Sequence, residues 1–145
     1  MQYDDLQPYM VGKRKFKNLI SIGWLGDSPY LKGVKSDELI YQIKRLIFSR
    51  YELCDYDYFR SLYRAPLYRC PICKEKVTYH YFNITHDAGR SEYNLRDSLS
   101  NKIYVFPDLI LHYMQEHSYQ PPDAFIDSLF AVKFSEPFKV GSGAL

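Results

Sequence analysis

Three cysteines in 145 residues are too few for the disulfide framework of a small secreted domain. No run of about 18 apolar residues occurs, so no transmembrane helix is expected. Met1 opens a polar stretch, "MQYDDLQPY", with no apolar region behind it, and a cleavable signal peptide is not expected either. A cytoplasmic setting follows, in which thiols stay reduced. Cys54 then reads as a plain buried thiol, since no basic neighbour activates it, and Cys70 and Cys73 read as a pair. There is no internal repeat and no low-complexity segment. Nor is there a P-loop, a dinucleotide fingerprint, a serine elbow or an H-E-x-x-H helix, which leaves an enzyme the least supported class. The short acidic pairs Asp4/Asp5 and Asp55/Asp57 are explained by solvation.

Net charge is also small, at only +2. It is unevenly spread, with 14 Lys/Arg against 9 Asp/Glu in residues 1–76 (+5) and 5 against 8 in residues 77–145 (−3). A positive half can meet nucleic acid or an acidic protein, but an excess this small is the ordinary state of a solvated surface. Apolar and aromatic residues are abundant, at 46% and 17%, which argues against disorder. The 15 tyrosines suit a small core or a binding surface, because the ring buries area while the hydroxyl keeps a polar tip.

The order of elements indicates α+β: a small antiparallel sheet with about four helices. "NLISIGWLG" from Asn18 reads as a strand carrying Trp24 as a core anchor, preceded by a solvated basic cluster, "GKRKFK". Ser36 is placed to cap a helix in which Leu39, Ile40, Ile43, Leu46 and Ile47 share a face to about Arg50. Leu53, Tyr56, Phe59 and Tyr63 fit a second helical face ending before Pro66. "EKVTYHYFNI" alternates as a strand, with Val77, Tyr79 and Tyr81 on one face. "THDAGRSEYNLRDSLSN" reads as a long polar loop. Pro107 and Asp108 suit the first turn of a third helix, bearing Leu109, Ile110, Tyr113 and Met114 through about His117. After "SYQPP", Pro122 and Asp123 begin a fourth with Phe125, Ile126, Leu129 and Phe130. Residues 1–140 are expected to form one domain, with 141–145, "GSGAL", a flexible tail.

The chemistry-bearing residues are few. "CPIC" at Cys70–Cys73 is a C-x-x-C knuckle whose thiolates can grip one ion from a tight turn. His112 and His117 stand at H-x4-H spacing, which zinc fingers use. Five residues turn an ideal helix by about 500°, which would aim the rings about 140° apart. A helix end at His117, where "SYQPP" interrupts the pattern, would bring them together. The plain alternatives are a packed or redox-active thiol pair and two hydrogen-bonded histidines. Two thiolates with two imidazoles favour one Cys2His2 zinc (Zn2+) site of Cys70, Cys73, His112 and His117. His80 and His86 compete for the helix positions. Four protein ligands close the coordination sphere, so the metal would be structural. The long gap between the pairs makes a stapled domain and not an isolated finger.

Arg60, Tyr63, Arg64, Tyr68 and Arg69 interleave basic and aromatic groups before the knuckle. Such a strip can contact phosphates and stack bases, or form the Tyr/Arg anchors of a protein interface. The leading expectation is a non-catalytic protein-binding module, of the immunity or antitoxin-like inhibitor kind in bacterial conflict. The alternative is a nucleic-acid-binding zinc protein.

"DLQPY" at Asp5–Tyr9, "GWL" at Gly23–Leu25, "CPIC" and "FPDLILHYMQEHSYQPPDAF" at Phe106–Phe125 together resemble an uncharacterised family of short bacterial proteins. The resemblance implies a Cys-pair and His-pair arrangement at Cys70, Cys73, His112 and His117, and no activity. The polar stretch 85–101 departs from it and suggests a specialised binding loop.

Overall fold

Local signals suffice for two helices. In a computed structural model, which describes residues 4–11, 14–26, 28–33, 36–49, 59–63 and 68–134, helix α1 spans Asp37–Phe48. The Ser36 hydroxyl accepts the Leu39 N–H at 3.3 Å, and Asp37 and Glu38 lie at the positive end of the helix dipole. Leu39, Ile43, Leu46 and Ile47 are buried on one face. A second helix, Asp123–Phe130, follows Pro122 as its spacing requires and buries Phe125 and Leu129.

The main sheet has five strands. They are β1 (Pro8–Val11), β2 (Arg14–Ser21), β3 (Phe59–Tyr63), β6 (Ser91–Arg96) and β7 (Ile103–Pro107), in the spatial order β1-β2-β7-β6-β3. Its neighbours run antiparallel except β2 and β7, which are parallel. A separate hairpin pairs β4 (Thr78–Tyr81) with β5 (Ile84–Asp87). The remaining helices are α2 (Ile110–Glu116) and α3, the Asp123–Phe130 helix above. The fold is α+β, with three helices among the described residues.

Four expectations change. The second helical face over 53–63 is overturned where it can be seen: Phe59–Tyr63 is a strand paired with β6, while residues 50–58, with Leu53, Cys54 and Tyr56, lie outside the described residues. Phe59 and Tyr63, four residues apart, satisfy either period, and the backbone pairing with β6 decides between them. The polar stretch 85–101 is not one loop. It completes β5 and supplies β6, whose Tyr93 and Leu95 are buried, leaving 88–90 and 97–101 as the connections. Pro107 ends strand β7 and does not begin a helix, and α2 starts at Ile110. The strand read from Asn18 begins earlier, at Arg14, so residues 14–17 of the basic cluster form its largely exposed first half, and Trp24 lies past its end. Residues 135–145, including the proposed tail, are outside the described residues.

The core lies between one face of the sheet and the helices. Tyr93, Leu95, Tyr104 and Phe106 point inward to meet Ile43, Leu46, Ile110, Phe125 and Leu129. Phe125 is met edge-on by Phe106 and Tyr104 at 5.1 and 5.6 Å between ring centroids. The opposite face holds a smaller cluster of Tyr9, Trp24 and Val105. There the Trp24 indole N–H donates to the Val105 carbonyl at 2.9 Å and the Tyr9 hydroxyl to Glu92 at 2.8 Å. Among the described residues no helix is long and apolar enough to cross a membrane.

Candidate metal centre

The segment 70–73 folds as a tight turn. It is closed by the Lys74 N–H to the Cys70 carbonyl at 2.9 Å and by the Cys70 N–H to the Glu75 carbonyl at 3.1 Å. Lys74 takes the left-handed conformation (φ 65°) that reverses the chain after Cys73. The backbone N–H groups of Cys73 and Ile72 are directed at the Cys70 sulfur, where they favour its thiolate. Burial acts more strongly the other way and lifts the Cys70 thiol above its ordinary pKa. A cation beside the sulfur would reverse that balance.

Helix α2 carries the imidazoles. His112 lies within it, while His117 is its C-cap, at φ −123° and ψ 12°, followed by left-handed Ser118 (φ 56°). Leaving helical geometry at that residue removes the angular mismatch of an ideal H-x4-H pair. The two Nε2 atoms come within 3.2 Å of each other. Cys70 Sγ is 3.4 Å from His117 Nε2, and Cys73 Sγ is 3.4 Å from His112 Nε2. One donor atom from each of the four residues lies within 4.8 Å of all the others. An ion held tetrahedrally at about 2.0 Å by nitrogen and about 2.3 Å by sulfur separates its donors by about 3.3 Å (N···N) and about 3.5 Å (S···N). The cluster has those proportions and could hold a metal ion. Burial, and then the charge of His117, keep His112 below its usual pKa, which leaves its lone pair available at neutral pH. Cys70 is fully buried and the other three are half-buried, bordering a groove with Glu75, Lys76 and Glu116.

His80 and His86 lie apart from this cluster. His80 is exposed, 3.4 Å from the Thr85 hydroxyl. His86 is buried against Asp108, with Nε2 2.8 Å from Oδ2. Sequence reasoning missed this second constellation. Asp108 also accepts the Gly89 N–H through Oδ1 at 2.8 Å, and its own N–H donates to the Ser91 carbonyl at 3.0 Å. The Tyr79 hydroxyl donates to the Asp108 carbonyl at 2.7 Å and accepts the His112 N–H at 3.0 Å. One phenol thus satisfies a first-turn N–H of α2, which has no partner within its helix, and fixes the backbone of a donor residue. The available signal was Tyr79 on the inward face of its strand; its partner lies 33 residues away.

The blocks quoted from the sequence also meet in space. Asp5 accepts the Gly23 N–H at 2.9 Å and the Tyr119 hydroxyl at 2.7 Å, so "DLQPY", "GWL" and "SYQPP" join at one carboxylate. Gly23 takes φ 73°, and a side chain there would press on Ile110 at 3.0 Å. The motifs are therefore positions that lock the first strands onto α2, next to the donor cluster. Of the basic and aromatic strip, Tyr68 and Arg69 are exposed, whereas the side chains of Arg60, Tyr63 and Arg64 lie outside the described residues. No curated protein and no solved structure matches the chain. A family match covers residues 1–130, and the chain accordingly belongs to the family described as a domain of unknown function, DUF7919.

Proposed function

We propose that the chain is a non-catalytic protein-binding module stapled by one structural zinc ion. The observation that carries this reading is the convergence of two sulfurs and two imidazole nitrogens at tetrahedral spacing. Zinc prefers this donor set and geometry, and four protein ligands leave it no open position for water or substrate. Its role is then to join the knuckle to α2 and hold a surface in place. Exposed aromatic groups on the chain include Tyr41, Tyr68 and Phe82, and Arg69 and Arg90 are exposed as well. Tyr and Arg are the residue types that anchor protein interfaces. An inhibitor of the immunity or antitoxin kind is one use such a scaffold serves, since capping a partner needs no chemistry of its own.

A second reading, nucleic-acid binding, draws on β2, where Arg14, Lys15 and Lys17 are exposed and the Arg14 guanidinium lies 4.9 Å from the Phe16 ring centre. A net charge of +2 supports it weakly, because phosphate binding scales with the number of neutralised charges. Elemental analysis of freshly reduced protein should return about one zinc per chain. A stoichiometric protein partner should be retained at about 0.15 M salt, where the Debye length is about 8 Å. Metal-free folded protein would refute the staple. Micromolar DNA or RNA binding at that salt would instead favour the second reading.

A further inference from the structure

The two sulfur donors differ in how solvent reaches them. Cys70 is fully buried. Cys73 is half-buried and lines an open groove, whose rim carries Glu75, Lys76 and Glu116. A reagent entering the groove therefore meets the Cys73 sulfur first. The Cys70 sulfur waits behind it, within 4.8 Å, so an S–S bond of about 2.05 Å requires the pair to close by under about 3 Å.

The backbone permits that closure without unfolding the turn. The hydrogen bonds that shape the knuckle, from the Lys74 N–H to the Cys70 carbonyl and from the Cys70 N–H to the Glu75 carbonyl, join main-chain groups and use neither sulfur. The first turn of α2 is held separately, by the Tyr79 hydroxyl on the His112 N–H. The donor cluster bridges these two units, with each sulfur 3.4 Å from one imidazole nitrogen. Charge at the groove also selects among oxidants. Glu75 and Glu116 outnumber Lys76, and all three are exposed. A small neutral oxidant such as hydrogen peroxide enters unopposed, whereas a bulky anionic one is repelled.

We propose that Cys73 and Cys70 form a peroxide-operated release for the metal. The inference rests on the zinc reading and adds its regulation. The Cys73 sulfur attacks one peroxide oxygen and the O–O bond breaks, giving a sulfenic acid at Cys73 and a hydroxide that takes a proton from solvent. The Cys70 thiolate then attacks the Cys73 sulfur. An S–S bond forms, the S–O bond breaks, and the departing hydroxide takes a second proton. Two thiolates are oxidised to one disulfide, and one peroxide is reduced to two waters. His112 and His117 are left as two neutral ligands, too few to keep zinc, and the knuckle is uncoupled from α2. An accessible sulfur with a resolving thiolate beside it is also the arrangement that stops oxidation at the disulfide, short of sulfinic acid.

The test uses the full chain as purified, with its zinc content measured first. Hydrogen peroxide is added in steps, released zinc is read with a colorimetric chelator against an untreated control, and the thiols are mapped by mass spectrometry. About one zinc should appear per peroxide consumed, in step with a Cys70–Cys73 disulfide. Dimedone present during oxidation should label Cys73 and not Cys70. A phosphine reductant with added zinc should restore metal content and Tm, and Cys54→Ser should respond as wild type does. Oxidised glutathione, bulky and anionic, should release zinc at least about tenfold more slowly than peroxide. Zinc retained by loaded protein under peroxide, dimedone on Cys70, a disulfide that uses Cys54, or equally fast release by oxidised glutathione would overturn the proposal and leave the staple standing. Folded protein that is metal-free as purified would overturn the staple, and the release with it.

Discussion

Consider Cys70→Ser. Cys70 is fully buried, and its sulfur lies 3.4 Å from His117 Nε2 in the four-donor cluster. Serine nearly preserves volume but is a poor ligand for zinc, so the change removes a donor while disturbing packing little. If zinc binds only the folded chain, with free metal about a thousandfold above its Kd, the linkage is worth about 4 kcal/mol. A fold of 145 residues has roughly 7–20 kcal/mol in total, at about 0.05–0.15 kcal/mol per residue. The variant should therefore fold but melt lower, by about 8–16 °C at about 2–4 °C per kcal/mol for a chain of this size. The assay is thermal unfolding with and without a chelator. Wild type should lose a similar amount on chelation, and Cys70→Ser should lose almost nothing further. Phe125→Ala serves as the control. It opens a cavity in the core at a cost of about 3–5 kcal/mol, yet should keep its chelator response. A wild-type Tm indifferent to chelator, or a Cys70→Ser protein that still responds fully, would refute the reasoning.

Two further outcomes follow from buried polar groups. Tyr79→Phe deletes the hydroxyl between the Asp108 carbonyl and the His112 N–H. It leaves buried groups without partners and should lower the urea midpoint by an amount equivalent to about 1–3 kcal/mol, with m unchanged and metal affinity reduced. Asp5 is held above the usual carboxylate pKa chiefly by burial, against the opposing bonds from Tyr119 and Gly23. The folded state thus keeps a proton that the unfolded state releases. Stability should fall as pH rises from the ordinary carboxylate value through the raised one, and be flat in this respect above it. Asp5→Asn should remove that contribution, and denaturant melts of both proteins across the acid range will show whether their difference depends on pH.

The helices were legible to different degrees for a physical reason. A cap at Ser36 and the spacing of Leu39, Ile43 and Leu46 act within a few residues, so α1 and likewise α3 could be read directly. Phe59–Tyr63 and Ser91–Arg96 carry no such local instruction. Each is a strand because its neighbours supply hydrogen bonds, β6 for β3 and both β3 and β7 for β6, and β6 looks polar because only Tyr93 and Leu95 reach the helix-side core. Pro107 favours a helix start by its φ alone, but it lies opposite Glu92 and closes a strand.

What the amino-acid sequence determined by itself was chemical: two thiols in a knuckle, two imidazoles five residues apart, and the apolar faces that must be buried. Ligand type and short spacing are properties of neighbours along the chain. Tertiary structure alone decided the rest. The parallel pairing of β2 with β7 and the Asp108–His86 pair join residues from 22 to more than 80 positions apart. No local pattern encodes such contacts, because each depends on which surfaces remain to be covered once the sheet and helices have packed.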